Sequence, residues 1–205
     1  MRIFKLTLIG LAMSFFGSCA SGYKMIAPSY LQYKSVKEDQ GVKFEYKYDL
    51  LHKKYAKKED KKGIKVVAVK ITNNSGRDLE FGKDFVIEYE NGNAINLVNN
   101  EFTFKTLKQS TASYLFYLLL LPVNLQTTET TNGFEQTENI FPIGLILGPG
   151  IAGGNMIAAG SANKKFKEEL TQYDLSGKVI KDGETKVGLI SIQSDSYDAL
   201  SLKVE

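Results

Sequence analysis

The chain has 205 residues, with 26 Lys and Arg against 23 Asp and Glu, and a formal net charge of +3. That balance excludes a protein that binds nucleic acid through bulk positive charge. A single cysteine excludes an intrachain disulfide, so the fold must rest on its own apolar core.

Met1-Arg2-Ile3-Phe4-Lys5 is a short basic start, Leu6 to Phe16 is apolar and uncharged, and Gly17-Ser18-Cys19 follows. This is the pattern of a secretory signal, too short to cross a bilayer core of about 30 Å as a permanent helix. The tetrapeptide Phe16-Gly17-Ser18-Cys19 resembles a bacterial lipobox, with Phe16 where an aliphatic residue is commoner. The resemblance implies thioether diacylation of Cys19, loss of residues 1–18, and acylation of the new amino group. An ordinary cleaved signal and an uncleaved anchor are the alternatives. The one cysteine falls where lipobox chemistry requires it, which favours the lipoprotein. Ala20, where inner-membrane retention uses Asp, implies the outer membrane by the sorting rule of such lipoproteins.

Residues 19–40 read as a lipidated tether: polar, with Pro28 and with Tyr23, Tyr30 and Tyr33 in no sustained period. Such a stretch is expected to be flexible. Residues 41–106 carry strand patterns. Val42, Phe44, Tyr46, Tyr48 and Leu50 alternate with Lys43, Glu45, Lys47 and Asp49. The basic stretch from Lys53 to Lys62 reads as a solvated loop, or as a face for anionic head groups. Ile64 to Thr72 is β-branched and more continuously apolar, as a central strand would be. Leu79 with Phe81, and Phe85 to Tyr89, are further strands. Asn91-Gly92 predicts a tight hairpin returning through Ala94 to Val98, and Phe102 with Phe104 mark another strand. Residues 175–205 supply the last strands, Thr185 to Ile192 and Leu200 to Val204.

Many short strands and almost no helix predict a mainly β fold, an antiparallel β-sandwich. Val66 to Phe81 resembles the strand, Asn-rich turn and next strand of immunoglobulin-like domains of exported bacterial proteins. Gly183-Glu184 resembles their late-strand entry. The resemblance covers about 100 residues and speaks to fold rather than function.

Residues 107–174 do not fit a sandwich and predict an inserted apolar helical hairpin. Tyr114, Leu115, Phe116, Leu118, Leu119, Leu120 and Leu121 form an apolar run ended by Pro122. A polar loop, Gln126 to Asn139, follows. Ile140 to Ala162 is uncharged over 23 residues, with six glycines and two prolines. Gly148-Pro149-Gly150 predicts a break, with a helix from Ile151 to Tyr173. Gly144 and Gly148, and Gly150 and Gly154, stand four apart, the spacing at which helices approach closely in membranes. With Ile143, Leu145, Ile146 and Leu147, the run is a candidate surface for membrane or partner contact. Three placements compete: a re-entrant or interfacial element, a helical pair packed on the sandwich or used by partners, and a two-pass span. Lys105, Lys108, Lys164, Lys165 and Lys167 flank the hairpin, which counts against a two-pass span of the inner membrane.

No catalytic residue, metal ligand or cofactor is assigned. His52, the only histidine, stands beside lysines rather than other ligands. The glycine-rich run lacks the Lys-Ser/Thr of phosphate loops. Asp195 and Asp198 read as turn formers. The expectation is a non-enzymatic, lipid-anchored envelope protein for scaffolding or partner binding. Its partners would be membrane lipid through Cys19, and an integral membrane protein or a second copy through the hairpin, without nucleic acid. The rivals are an envelope enzyme acting on lipid or glycan and an oligomeric membrane element.

Overall fold

The computed structural model describes residues 19–131 and 134–205. The expected signal, residues 1–18, lies outside them. In chain order the elements are β1 (Ser35–Asp39), β2 (Val42–Lys47), α1 (Lys54–Lys62), β3 (Ile64–Asn73), β4 (Leu79–Glu80), β5 (Phe85–Tyr89), β6 (Leu97–Val98), α2 (Asn100–Leu107), β7 (Leu125–Thr131), β8 (Phe134–Phe141), α3 (Gly144–Gln172), β9 (Val179–Ile180), β10 (Thr185–Gln193) and β11 (Leu200–Val204). Two 3-10 segments add to these, Pro28–Tyr30 and Ala112–Leu120. The chain forms two compact units. A sheet unit comprises Tyr23–Lys108 and Asn163–Glu205; an apolar unit comprises the described residues up to Gly22 and Gln109–Ala162.

The sheet unit is built on an antiparallel sheet in the order β1-β2-β3-β10-β6, with separate pairs β5–β11 and β4–β9. Phe44, Val67, Val69, Ile71, Phe85, Ile192 and Leu202 belong to one apolar core that joins β2, β3 and β10 to β5 and β11. Val66 and Ala68, the alternate residues of β3, are equally inaccessible at 0%, and β3 also contacts α1. Burial on both faces favours apolar residues on both sides of a strand, which is why Val66 to Val69 shows no alternation; Lys65, also buried, reaches Asp60 at 2.6 Å.

Helix and strand occupy nearly equal shares, 33% and 32%, so the mainly β expectation is corrected to a mixed fold with antiparallel sheets. α1 stands where a basic loop was expected. Tyr55 and Glu59, four residues apart, turn one buried face inward, and Gly63 closes the helix with φ of 60° and its N–H on the Glu59 carbonyl. α2 stands where Phe102 and Phe104 predicted a strand. Asn99 caps it by accepting the Phe102 N–H at 2.8 Å, and Thr103 and Leu107 share its buried face. The Asn91-Gly92 hairpin is also corrected. The chain does reverse there, with Gly92 at φ of 81°, the Gly92 N–H on the Tyr89 carbonyl at 2.8 Å and the Tyr89 N–H on the Asn93 carbonyl at 2.9 Å. The return is a bridge from Ala94 to Glu88 and not a strand, because β5 pairs with β11 and β6 with β10.

The expected tether is not loose. β1 pairs with β2 from Ser35↔Tyr46 to Asp39↔Val42, through Gln40 and Gly41 at φ of 44° and 79°, the signature of a two-residue hairpin turn. Upstream, Glu169 of α3 is 1% exposed and accepts three hydrogen bonds, from the Tyr23 hydroxyl at 2.6 Å and the N–H groups of Ile26 and Ala27 at 3.0 and 2.8 Å. The Tyr23 ring meets Tyr55 and Phe166, each at 5.2 Å between centroids. Burial first, and the Glu169 carboxylate second, hold the Tyr23 hydroxyl far above the usual tyrosine range.

Glu59 makes α1 sensitive to pH. Its carboxyl is 2% exposed and accepts the Val66 N–H at 2.6 Å. Burial pushes it up to about 7; the Val66 N–H and Lys65 oppose that, while Asp60 and Asp49 add to it. Between about 4.5, the ordinary value, and about 7, the native state keeps a proton that the unfolded chain has released. This contribution to stability is therefore full below pH 4.5, declines as pH rises to about 7, and then levels. The expected decline is on the order of 3 kcal/mol. Denaturant titrations of the parent and of Glu59→Gln across pH 4–8 should differ by this slope; parallel profiles would refute it.

Candidate membrane-contact and anchor site

The first described residue of the apolar unit is Cys19, which is exposed. The residues after it are held. The Ala20 N–H donates to Asn155 Oδ1 of α3. The buried Gln109 side chain brackets Ser21, accepting its N–H at 3.0 Å and donating to its carbonyl at 2.6 Å. A primary amide offers one acceptor and one donor side by side, so Gln109 treats Ser21 as a neighbouring strand would.

Behind this bracket, the 3-10 segment Ala112–Leu120 packs against α3. Tyr114 and Tyr117, with Ala152 and Ala159 of α3, form a small core joined by Ala20, Leu120, Ile151 and Met156. Tyr114, expected on the contact surface, is 3% exposed and belongs to this core. Its hydroxyl points back to Gln109 Oε1 at 3.4 Å, a polar tip that needs a partner once buried. Leu120 and Ile143 are half-buried.

The glycines divide into two sets. A side chain at Gly144 would meet the Leu120, Leu121 and Val123 carbonyl oxygens at 1.9, 2.8 and 2.9 Å, and one at Gly148 would meet the Tyr117 carbonyl at 3.2 Å. These two glycines let the start of α3 lie directly on the backbone of the preceding segment, and the Gly144 N–H donates to the Val123 carbonyl at 2.9 Å. Gly150 and Gly154 have nothing within 4 Å. α3 also runs through Pro149, where the sequence predicted a break. Proline removes one bond, to the Leu145 carbonyl, in the second turn, and the helix continues on both sides of it.

The remaining residues of the run face outward. Leu115 is 48% exposed, Phe116 73%, Leu118 36%, Leu119 74%, Leu121 37%, Leu145 59%, Ile146 77% and Leu147 46%. The sequence did not single out Val123, Leu125, Ile140, Phe141 and Ile157, which are exposed as well. Their types were visible, but whether a leucine faces in or out follows from where the glycines sit. The polar loop expected at Gln126–Asn139 is largely the antiparallel pair β7–β8, from Leu125↔Phe141 to Thr131↔Phe134; Asn132 and Gly133 lie outside the described residues. Among the described residues, β7 and β8 pair with no other strand.

α3 is the one helix among the described residues long and apolar enough to cross a membrane by length and composition, and only 22% of its most apolar 18-residue stretch is buried. A soluble core helix would be mostly buried.

Elsewhere the chemistry is sparse. His52 is exposed. Among the described residues no group of three His, Cys, Asp or Glu is placed to hold a metal. In the sheet unit, Glu90 and Asp198 line one shallow hollow with Tyr89, Asn91 and Ala199. Both acids are engaged there, Glu90 by Lys37 and Asp198 by the Ser196 hydroxyl at 2.6 Å. Compared with known protein families, curated proteins and solved structures, the chain matches none of them.

Proposed function

We propose that this is a lipid-anchored protein of the bacterial envelope, carrying acyl chains on Cys19 and acting by scaffolding or partner binding rather than by catalysis. The lipobox-like Phe16-Gly17-Ser18-Cys19 supplies the anchor. The observation that carries the reading is that the exposed Cys19 leads directly into two residues pinned to the least polar part of the chain. An acyl group there needs no linker to bring that surface to a membrane. We read the sheet unit as immunoglobulin-like. Support comes from the antiparallel β2-β3-β10 ladder sharing one core with β5 and β11. The outer membrane is the favoured address, from Ala20.

Mass spectrometry of the N-terminal peptide tests the anchor. The expected product begins at Cys19 and carries two or three acyl chains. Cys19→Ser should accumulate as the longer chain that still holds residues 1–18. A mature-length Cys19→Ser product, or an unmodified Cys19 in the parent, would rule the anchor out.

A further inference from the structure

Resting on that lipid-anchored reading, we infer that the outer surface of the apolar unit is seated in membrane hydrocarbon, in the leaflet that takes the Cys19 acyl chains, and is not a protein-docking face. The side chains are sorted the wrong way round for water. Toward the inside of this unit stand Gly144, Gly148, Ala152 and Ala159, together with two tyrosines whose rings carry polar tips. Toward the outside stand hydrocarbon side chains, with Phe116, Leu119, Ile146 and Ile157 each at least 73% exposed. Water drives the largest apolar groups inward. In hydrocarbon that drive vanishes, and helices associate through small residues that allow close backbone approach.

The charge pattern separates lipid from protein as the occupant. From Gln109 to Thr128 and from Asn139 to Ala162 there is no Asp, Glu, Lys or Arg. Protein interfaces keep a polar, solvated rim and favour arginine, whereas a surface in hydrocarbon tolerates no charge. Exposed apolar patches on soluble proteins also stay within a few hundred Å², and this one runs through two segments and the base of a hairpin.

The 3-10 segment is too short to cross, although α3 is long enough by itself. The 3-10 segment Ala112–Leu120 rises about 18 Å at roughly 2 Å per residue, a little over half of a core about 30 Å thick. The exposed Cys19, tied through Ala20 and Ser21 to Asn155 and Gln109, belongs to the same unit. Lipid chains and leucines therefore enter together.

Introduced cysteines test this in isolated envelopes, because a thioether-bound Cys19 does not react with maleimide. Full-length chains carrying Leu119→Cys, Ile146→Cys or, as a water-facing control, Lys178→Cys are exposed to a membrane-impermeant maleimide. The experiment is run in the envelopes and again on the purified chain reconstituted into phospholipid vesicles at a high ratio of lipid to protein. The control should label readily in both. Leu119→Cys and Ile146→Cys should label at least an order of magnitude more slowly than the control in both. Labelling at the control rate in the envelopes would overturn the inference, since the surface would face water. Protection in the envelopes that is lost in the vesicles would also overturn it, since a partner protein or second copy would be the cover. The chain without introduced cysteines reports separately on the anchor: if it labels after denaturation, Cys19 is free and the lipid reading fails on its own.

Discussion

Glu169→Ala should be among the most destabilising single substitutions in the sheet unit, lowering stability by about 3–5 kcal/mol in denaturant or thermal unfolding. The carboxylate is 1% exposed and is the shared acceptor for the Tyr23 hydroxyl and the N–H groups of Ile26 and Ala27. Alanine leaves the Ile26 N–H without that acceptor where Ile26 is itself 7% exposed, and each unsatisfied buried group costs about 1–3 kcal/mol. Ala27 adds to the demand, because it holds φ of 49°, a conformation that alanine adopts only when its surroundings impose it. Tyr23→Phe, which removes one donor of the three, should cost roughly 1.5–3 kcal/mol, the range for a bond to a charged acceptor. Glu169→Gln should fall between, since an amide has one acceptor oxygen in place of two. If Glu169→Ala unfolds with the parent, residues 23–27 are a loose tether after all.

Gly144→Ala should have a comparable effect, confined to the apolar unit. A methyl group there sits 1.9 Å from the Leu120 carbonyl oxygen, with two more carbonyls inside 3 Å. Backbone cannot swing aside as a long side chain can, so the start of α3 must lift from Leu120–Val123, losing the Gly144 N–H bond to Val123. Overpacking of this kind costs about 1–3 kcal/mol, and more where backbone is the obstacle. Hydrogen exchange in a membrane-mimetic detergent should rise across residues 112–123 and 143–150 and stay unchanged in β3 and β10. Gly150→Ala is the matched control. Space there is open, and alanine in a helix interior is favoured over glycine by about 0.5–1 kcal/mol. Unchanged exchange for Gly144→Ala would mean that the two segments do not touch at this point.

These two sites also show what the sequence could and could not convey. β3 was legible because burial on both faces writes the apolar run Val66 to Val69 between Lys65 and Lys70, and β10 and β11 because their patterns are local. At 144 and 148 the GxxxG spacing coincides with close backbone approach, whereas the same spacing at 150 and 154 faces open space; spacing alone cannot tell which pair has a neighbour. α1 escaped notice because one of its two buried residues is a glutamate. α2 was misread because Phe102 and Phe104 imitate a two-residue alternation, although Asn99 marks a helix start. The segment after Cys19 carries no period at all. What orders it are the acceptors Gln109, Asn155 and Glu169, 88 to 146 residues away in the chain, and no local pattern announces a partner at that distance.

The bracket that Gln109 places around Ser21 bears on the order of events that the proposed acylation of Cys19 would require. Ser21 leaves the ribosome well before Gln109, and Asn155 follows later still. An enzyme that attached lipid at Cys19 would need the neighbouring residues free and extended, and a closed bracket would deny it that. On that proposal, acylation and cleavage would belong to the interval before the apolar unit folds, and closure of the Gln109 amide on Ser21 would come after them.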